Sequence, residues 1–366
     1  MAGLRLVQYM RRLIACLILM ALVAGCTPKN APVGGPVLLT DRVSWVDVPV
    51  GYEPQLEFYD SANGYALFVK WEQQRKAEAI LFRTKDGGAT WQKLTHPRPV
   101  AENQQLYAAG PQDVVLWAEP HGWYVSQDSG DSWQETKEDQ TSTDFGRFFI
   151  DYGPGYAGPA LIRDREQPGQ TSPVPPGFEH ARLTNDSARV WLAAVKNGQP
   201  ITTRRGTGDF EPVSVPKQPG RDAIHARVDI AAGDVWLIAE QDSVMTSSGT
   251  RGVARASVLK GTGLPLVWQL VNGAWVARPF TGIEEKPGWP YSVAPVGDGA
   301  LIVAGGGQTG YFRGGFYPVL NMQNLDWVSA LPDGTVLGRT NRAGTVYLGQ
   351  GTGMARNWVR VEVSRA

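Results

Sequence analysis

Histidine and cysteine are scarce in this 366-residue chain, at four and two residues, and their scarcity removes several kinds of chemistry at once. His96, His121, His180 and His225 are dispersed, with neither the H-x-H nor the H-E-x-x-H spacing of a zinc site. No metal and no cofactor is expected. A G-x-S-x-G elbow is also missing, which leaves serine-hydrolase chemistry without a nucleophile. Beyond the first 25 residues no stretch carries a convincing amphipathic helical period. Formal charge is zero, and an exported form lacking Arg5, Arg11 and Arg12 is mildly acidic, so a nucleic-acid partner is not expected.

What is present begins with a leader. Arg5, Arg11 and Arg12 form a positive segment, followed by an apolar run from Leu13 to Val23 that is shorter than the ~20 residues needed to span a bilayer as a helix. The run ends in Val23-Ala24-Gly25-Cys26, which resembles the lipobox of bacterial lipoproteins. That resemblance implies removal of residues 1–25 and lipid attachment at Cys26. Cys16 leaves with the leader, so an internal disulfide is excluded and the fold must rest on buried apolar surface. Residues 26–42, with Pro28, Pro32, Gly34, Gly35 and Pro36, read as a flexible tether. The expected location is extracytoplasmic and lipid-anchored. In a two-membrane host Thr27 favours the periplasmic side of the outer membrane; in a one-membrane host the site is the outer face of the plasma membrane.

Glycine (43) and proline (26) are plentiful, a composition suited to many short strands joined by turns. One segment repeats. Thr84-Lys85-Asp86-Gly87-Gly88-Ala89-Thr90-Trp91 and Ser126-Gln127-Asp128-Ser129-Gly130-Asp131-Ser132-Trp133 share the pattern S/T-x-D-x-G-x-S/T-W. In each, the Asp accepts hydrogen bonds from turn N–H groups, the Gly supplies a positive φ and the Trp covers the turn. Structural roles are therefore expected for Thr84, Asp86, Gly88, Thr90 and Trp91, and for Ser126, Asp128, Gly130, Ser132 and Trp133. A third copy is eroded: Thr203 and Phe210 keep the outer positions, but Arg205 stands where Asp should be. The segment from Tyr347 to Trp358 is weaker still.

Strand patterning extends the repeat. Leu56–Asp60 and Gly64–Val69 form an apolar pair around a polar turn, and similar second strands begin near Val114, Tyr156, Val190, Val235, Leu301 and Val336. Their spacing averages about 45 residues, as in four-stranded propeller blades. The expected fold is all-β, a single β-propeller of about seven blades over residues 43–366, with six or eight left open. The long interval between Val235 and Leu301 is where an enlarged or extra blade would fall, with strands expected over 254–261, 264–271 and 274–280. Ser44–Val50 resembles the strand after a box and is expected to pair with the C-terminal blade, closing the ring and removing its free edges.

The run Leu56–Leu94, with its F-x-D-x-x-x-G-Y-A opening and T-x-D-G-G-x-T-W close, resembles a repeat of the photosystem II assembly-factor-like propellers. These share Asp boxes with sortilin and the sialidases. The resemblance covers residues 52–136. It implies a monomeric, non-enzymatic scaffold that binds an envelope or membrane protein and aids assembly or stability of its complex. A second resemblance, to the lipoprotein propeller of the outer-membrane barrel-assembly machinery, fits the anchor and size but not the boxes.

The competing expectation is a sialidase or other glycoside hydrolase, since those propellers carry the same boxes. Sialidases grip a carboxylate with three arginines, the first in an F-R-I-P segment. That segment is missing here, and Phe82-Arg83-Thr84 is committed to the strand entering the first box. Arg147, Arg163, Arg204 and Arg313 are the arginines that could converge in a closed ring. Gly305-Gly306-Gly307-Gln308-Thr309-Gly310 matches G-x-G-x-x-G, but no helix pattern follows, so it reads as an inter-strand turn. The stretch 168–176, rich in proline, reads as a protruding loop.

Overall fold

The computed structural model describes residues 37–72, 76–136, 148–151, 160–164, 167, 169–178, 181–185, 189–206, 209–219, 222–241, 263–286 and 289–366. Cys26 and the leader lie outside these residues, as do Tyr156, Arg147, His180 and the stretch 254–261.

Seven small sheets follow one another along the chain. The first strand, β1 (Leu38–Val46), stands apart from them in sequence order. Blade 1 contains β2 (Glu53–Phe58), β3 (Gly64–Glu72), β4 (Lys76–Thr84) and β5 (Gln92–Lys93), with β6 (Val100–Ala101) returning to pair with β4. Blade 2 contains β7 (Asn103–Ala108), β8 (Val114–Glu119), β9 (Gly122–Ser126) and β10 (Gln134–Thr136). Blade 3 shows three strands among the described residues, β11 (Phe148–Asp151), β12 (Leu161–Asp164) and β13 (Thr171–Pro173). Blade 4 is built from β14 (Arg182–Asn185), β15 (Val190–Lys196), β16 (Gln199–Arg205) and β17 (Glu211–Val213). Blade 5 follows with β18 (Ala223–Ala231), β19 (Asp234–Gln241), β20 (Leu266–Val271) and β21 (Ala274–Ala277). Blade 6 has β22 (Tyr291–Gly297), β23 (Ala300–Gly305), β24 (Gln308–Phe312) and β25 (Phe316–Pro318). Blade 7 has β26 (Trp327–Ala330), β27 (Val336–Arg339), β28 (Thr345–Gln350) and β29 (Asn357–Arg365).

β1 closes the ring by pairing in parallel with β29, from Leu38 opposite Asn357 to Val46 opposite Arg365. The closing strand therefore starts before residue 43, inside the segment expected to be tether, because β29 offers an unpaired edge along its whole length. Six apolar clusters fill the junctions of blades 7 and 1, 1 and 2, 3 and 4, 4 and 5, 5 and 6, and 6 and 7. Between blades 2 and 3 no such cluster forms among the described residues.

Two sequence expectations need correction. The second strand of blade 3 is β12, which starts at Leu161 rather than near Tyr156. Thr171–Pro173, within the proline-rich stretch, is a strand paired with β12 rather than a free loop. The long interval belongs to blade 5, whose β20 and β21 complete an ordinary antiparallel sheet, so the count is seven. Gly306 and Gly307 form the tight turn between β23 and β24, both with positive φ (59° and 73°), which glycine adopts without a Cβ clash.

Candidate functional site

The first strand of every blade starts at the same end of the ring, so the molecule has two distinct faces. The turn face carries the connections from first to second and from third to fourth strand. The opposite, strand-start face carries the beginnings of the first strands, the ends of the second and the beginnings of the third.

Both D-x-G segments lie on the turn face, where they link third and fourth strands. In the first, Thr84 Oγ1 donates to Asp86 Oδ1 at 2.8 Å and accepts from the Gly88 N–H at 2.8 Å. Asp86 also accepts from the Thr90 N–H at 2.9 Å and the Thr90 hydroxyl at 2.6 Å, and Trp91 Nε1 donates to the Gly88 carbonyl at 3.2 Å. The second repeats the set: Ser126 donates to Asp128 and accepts from Gly130, Ser132 donates twice to Asp128, and Trp133 donates to the Gly130 carbonyl. The Ser132 and Ser126 hydrogen bonds hold the Asp128 carboxyl down at about 2. For Asp86, burial pushes the other way but the Thr90 and Thr84 donors outweigh it, and its pKa is also lowered. Each carboxylate thus accepts three hydrogen bonds from its own turn, an arrangement that stabilises structure.

Sequence reasoning missed the grip that neighbouring strands exert on these turns. Arg42 on β1 donates to the carbonyls of Asp86 and Gly87 at 2.9 and 3.0 Å, and Ser44 donates to that of Gly88 at 2.7 Å. Arg83 on β4 does the same for blade 2, reaching the Ser129 carbonyl at 3.1 Å and Asp131 at 2.9 Å. In the eroded third copy, Arg205 lies over the Phe210 ring at 4.7 Å and takes the place of the missing Asp. In blade 7, buried Arg356 donates to the carbonyls of Gly353, Gly334, Gly349 and Val296 at 2.7–3.2 Å. No carboxylate of the described residues makes an ion pair with it. Burial lowers its pKa.

The channel wall is charged but self-satisfied. Arg339 donates to the Leu56 carbonyl at 2.7 Å and pairs with Glu57 at 2.9 Å; burial raises the Glu57 pKa against the pull of that guanidinium. Arg227 pairs with Asp229 at 3.0 Å and Glu240 at 2.7 Å, and donates to the Val293 carbonyl of the next blade. A shallow, open depression beside it is lined by Arg182, His225, Arg227, Ile238 and Glu240. Of the arginines proposed for a sialidase grip, Arg147 lies outside the described residues and the other three are each placed separately. Arg163 is paired with Asp151, Arg204 lies over the Trp191 ring, and Arg313 is exposed in a turn. Among the described residues, no group of three His, Cys, Asp or Glu could hold a metal, and no helix is long and apolar enough to cross a membrane.

The strand-start face is where apolar surface meets water. Of ten exposed large apolar side chains, six lie there: Val50, Trp71, Val100, Ile224, Trp289 and Trp327. Val50, Trp71 and Val100 gather over blade 1, around the Lys70–Glu72 ion pair and the Tyr52 hydroxyl, which donates to Glu78 at 2.8 Å. Burial and that hydrogen bond push the Tyr52 phenol up to about 12, so it stays a donor. Trp327 stands beside the Arg339 guanidinium, 5.8 Å from its ring. Trp289 is held by backbone hydrogen bonds, donating to Lys286 and accepting from Gly263. Aromatic anchors within a polar surround are the composition of protein-binding patches rather than of reaction centres.

These features define a seven-bladed β-propeller with a structural turn face and an aromatic strand-start face. Comparison with protein families and with curated proteins returns no match. Among solved structures the chain is similar to YCF48 bound to D1 peptide, at 14% identity over 85% of this chain and 97% of that one, with a TM-score of 0.45. It is also similar to the β-propeller domain of the Trilobed protease from Pyrococcus furiosus, at 11% identity over 82% and 96%, TM-score 0.46. A third is the GH74 xyloglucanase from Xanthomonas campestris, at 12% identity over 84% and 47%, TM-score 0.34. These neighbours differ in activity, and none assigns chemistry to this chain.

Proposed function

We propose that this chain is a lipid-anchored extracytoplasmic propeller that binds another envelope protein through its strand-start face and assists assembly or stability of that partner's complex. The observation that carries the reading is the sidedness of the exposed apolar surface. Six large apolar side chains, three of them Trp, are held in water on one face, an arrangement that costs free energy unless a partner covers it. The motif resemblance over residues 52–136 supports a scaffold, and Val23–Cys26 supports the anchor.

Crosslinking and affinity capture from envelope extracts tests this reading. The native chain should return a reproducible protein partner, and Trp289→Ala combined with Trp327→Ala should weaken its recovery by about tenfold or more. Capture of the same partner by the double variant at native yield removes the face from the account. Turnover of a sialoside or other glycoside by the purified chain replaces the scaffold with an enzyme.

A further inference from the structure

Three of the four remaining exposed apolar side chains among the described residues lie on the outermost strand of blade 7. Leu38 (64%), Val43 (47%) and Trp45 (67%) all belong to β1, and Leu320 (65%) adjoins Asn321, whose side chain holds Val37 by both its N–H and its carbonyl at 2.7 and 2.6 Å. β1 is the outermost strand of blade 7, paired on one side only. Alternation along it places Val43 and Trp45 on one face, away from Arg42 and Ser44, which hold the first turn of blade 1. Its two charged residues are both engaged: Asp41 pairs with Arg360 at 3.0 Å, and Arg42 is bound to carbonyls. Val43 and Trp45 are therefore an exposed apolar pair on one face of the outer edge, beside the Asp41–Arg360 ion pair, while Leu38 falls on the face of Arg42 and Ser44.

The same strand is where the chain from Cys26 joins the ring. The stretch between Cys26 and Leu38 reaches at most about 40 Å when fully extended, so a lipid on Cys26 keeps this edge within that distance of the bilayer. Tethering at such short range raises the local concentration of membrane at the edge, and weak apolar contacts then become effective. Trp favours the headgroup level, where its ring is buried and its N–H is hydrated.

We infer that the outer edge of blade 7 rests on the membrane surface, with Trp45 and Val43 in the interfacial layer. This inference rests on the lipid-anchor reading above. The ring then stands edge-on to the bilayer, and its strand-start face remains open to a protein. An exposed strand edge could instead pair with a second copy, and that outcome is read by the same experiment.

The test has two arms on the chain purified from membranes after export. Fatty-acid labelling, with Cys26→Ser as control, reads the anchor. Quenching of tryptophan fluorescence by brominated phospholipid, after reconstitution into phosphatidylethanolamine and phosphatidylglycerol vesicles, reads the edge. The expected result is labelling at Cys26 together with quenching that falls by more than half in Trp45→Ala. Trp289→Ala and Trp327→Ala should leave the quenching intact. Labelling with quenching indifferent to Trp45, or lost with Trp289, overturns the edge while leaving the anchor. Absence of label removes the anchor and the edge with it. A concentration-dependent dimer that is abolished by Trp45→Ala assigns the pair to a second copy and overturns the membrane contact.

Discussion

Blades 1 and 2 fasten their outer turns with an aspartate, whereas blade 7 fastens the equivalent turn with an arginine. The two solutions satisfy opposite halves of the backbone. Asp86 and Asp128 accept from N–H groups inside their own turn, so their partners lie within four residues. Arg356 donates to carbonyls instead, and its partners reach back as far as Val296 in the preceding blade. A carboxylate therefore satisfies a turn's N–H groups from within, whereas a guanidinium ties its carbonyls to another blade, as Arg42 and Arg83 also do for the two aspartate turns.

Removing Arg356 gives the largest effect that follows from this contrast. Arg356→Ala should take a donor from four carbonyls, of which Val296 keeps the Gly353 N–H, and lower stability by about 3 kcal/mol, read from the midpoint of urea unfolding. Arg356→Lys should recover only part, because an ammonium cannot span four divergent acceptors. Asp86→Ala should cost less, about 1–2 kcal/mol, comparable to loss of a helix N-cap. If the two aspartate and arginine turns differed only in name, these costs would be equal. Arg205→Ala, which removes an exposed contact with Phe210, should lower stability by about 0.5–1 kcal/mol.

Acid titration sharpens the comparison in another way. The folded pKa values of Asp86 and Asp128 lie below their unfolded values. Their contribution is complete above the unfolded carboxylate range and is lost as pH falls through the folded value, about 2 for Asp128. Stability measured from pH 6 to 2 should therefore decline less steeply in Asp128→Asn than in the native chain. Arg205→Ala, which changes no carboxylate in a turn, should leave the slope as it was.

The architecture was legible because a propeller is written in local periods. Six of the seven second strands fall where alternating apolar residues recur, from Gly64 to Val336, and the closing role of the segment around Ser44 follows from its likeness to a post-box strand. Blade 3 differs because the apolar segment expected near Tyr156 is glycine-rich and lies outside the described residues, whereas β12 starts at Leu161. The arginine fastenings were not legible at all. Arg42 and Arg83 act on turns whose positions in sequence are 44 to 46 residues away, and nothing in the local string marks them. Nor does composition say which tryptophans meet water. Trp191, Trp236, Trp268 and Trp358 are fully buried, while Trp45, Trp71, Trp289 and Trp327 are exposed, and only the packing of blades separates the two groups.

The parallel pairing of β1 with β29 has a consequence for biogenesis. β1 pairs with β29 across roughly 320 residues of intervening chain. Until Asn357–Arg365 has been made, β1 lacks its one mate among the described strands, and its hydrogen-bonding groups and Trp45 are displayed together. Open edges of that kind are templates for mispairing, so the seam is the part of the ring most exposed to error while the chain folds.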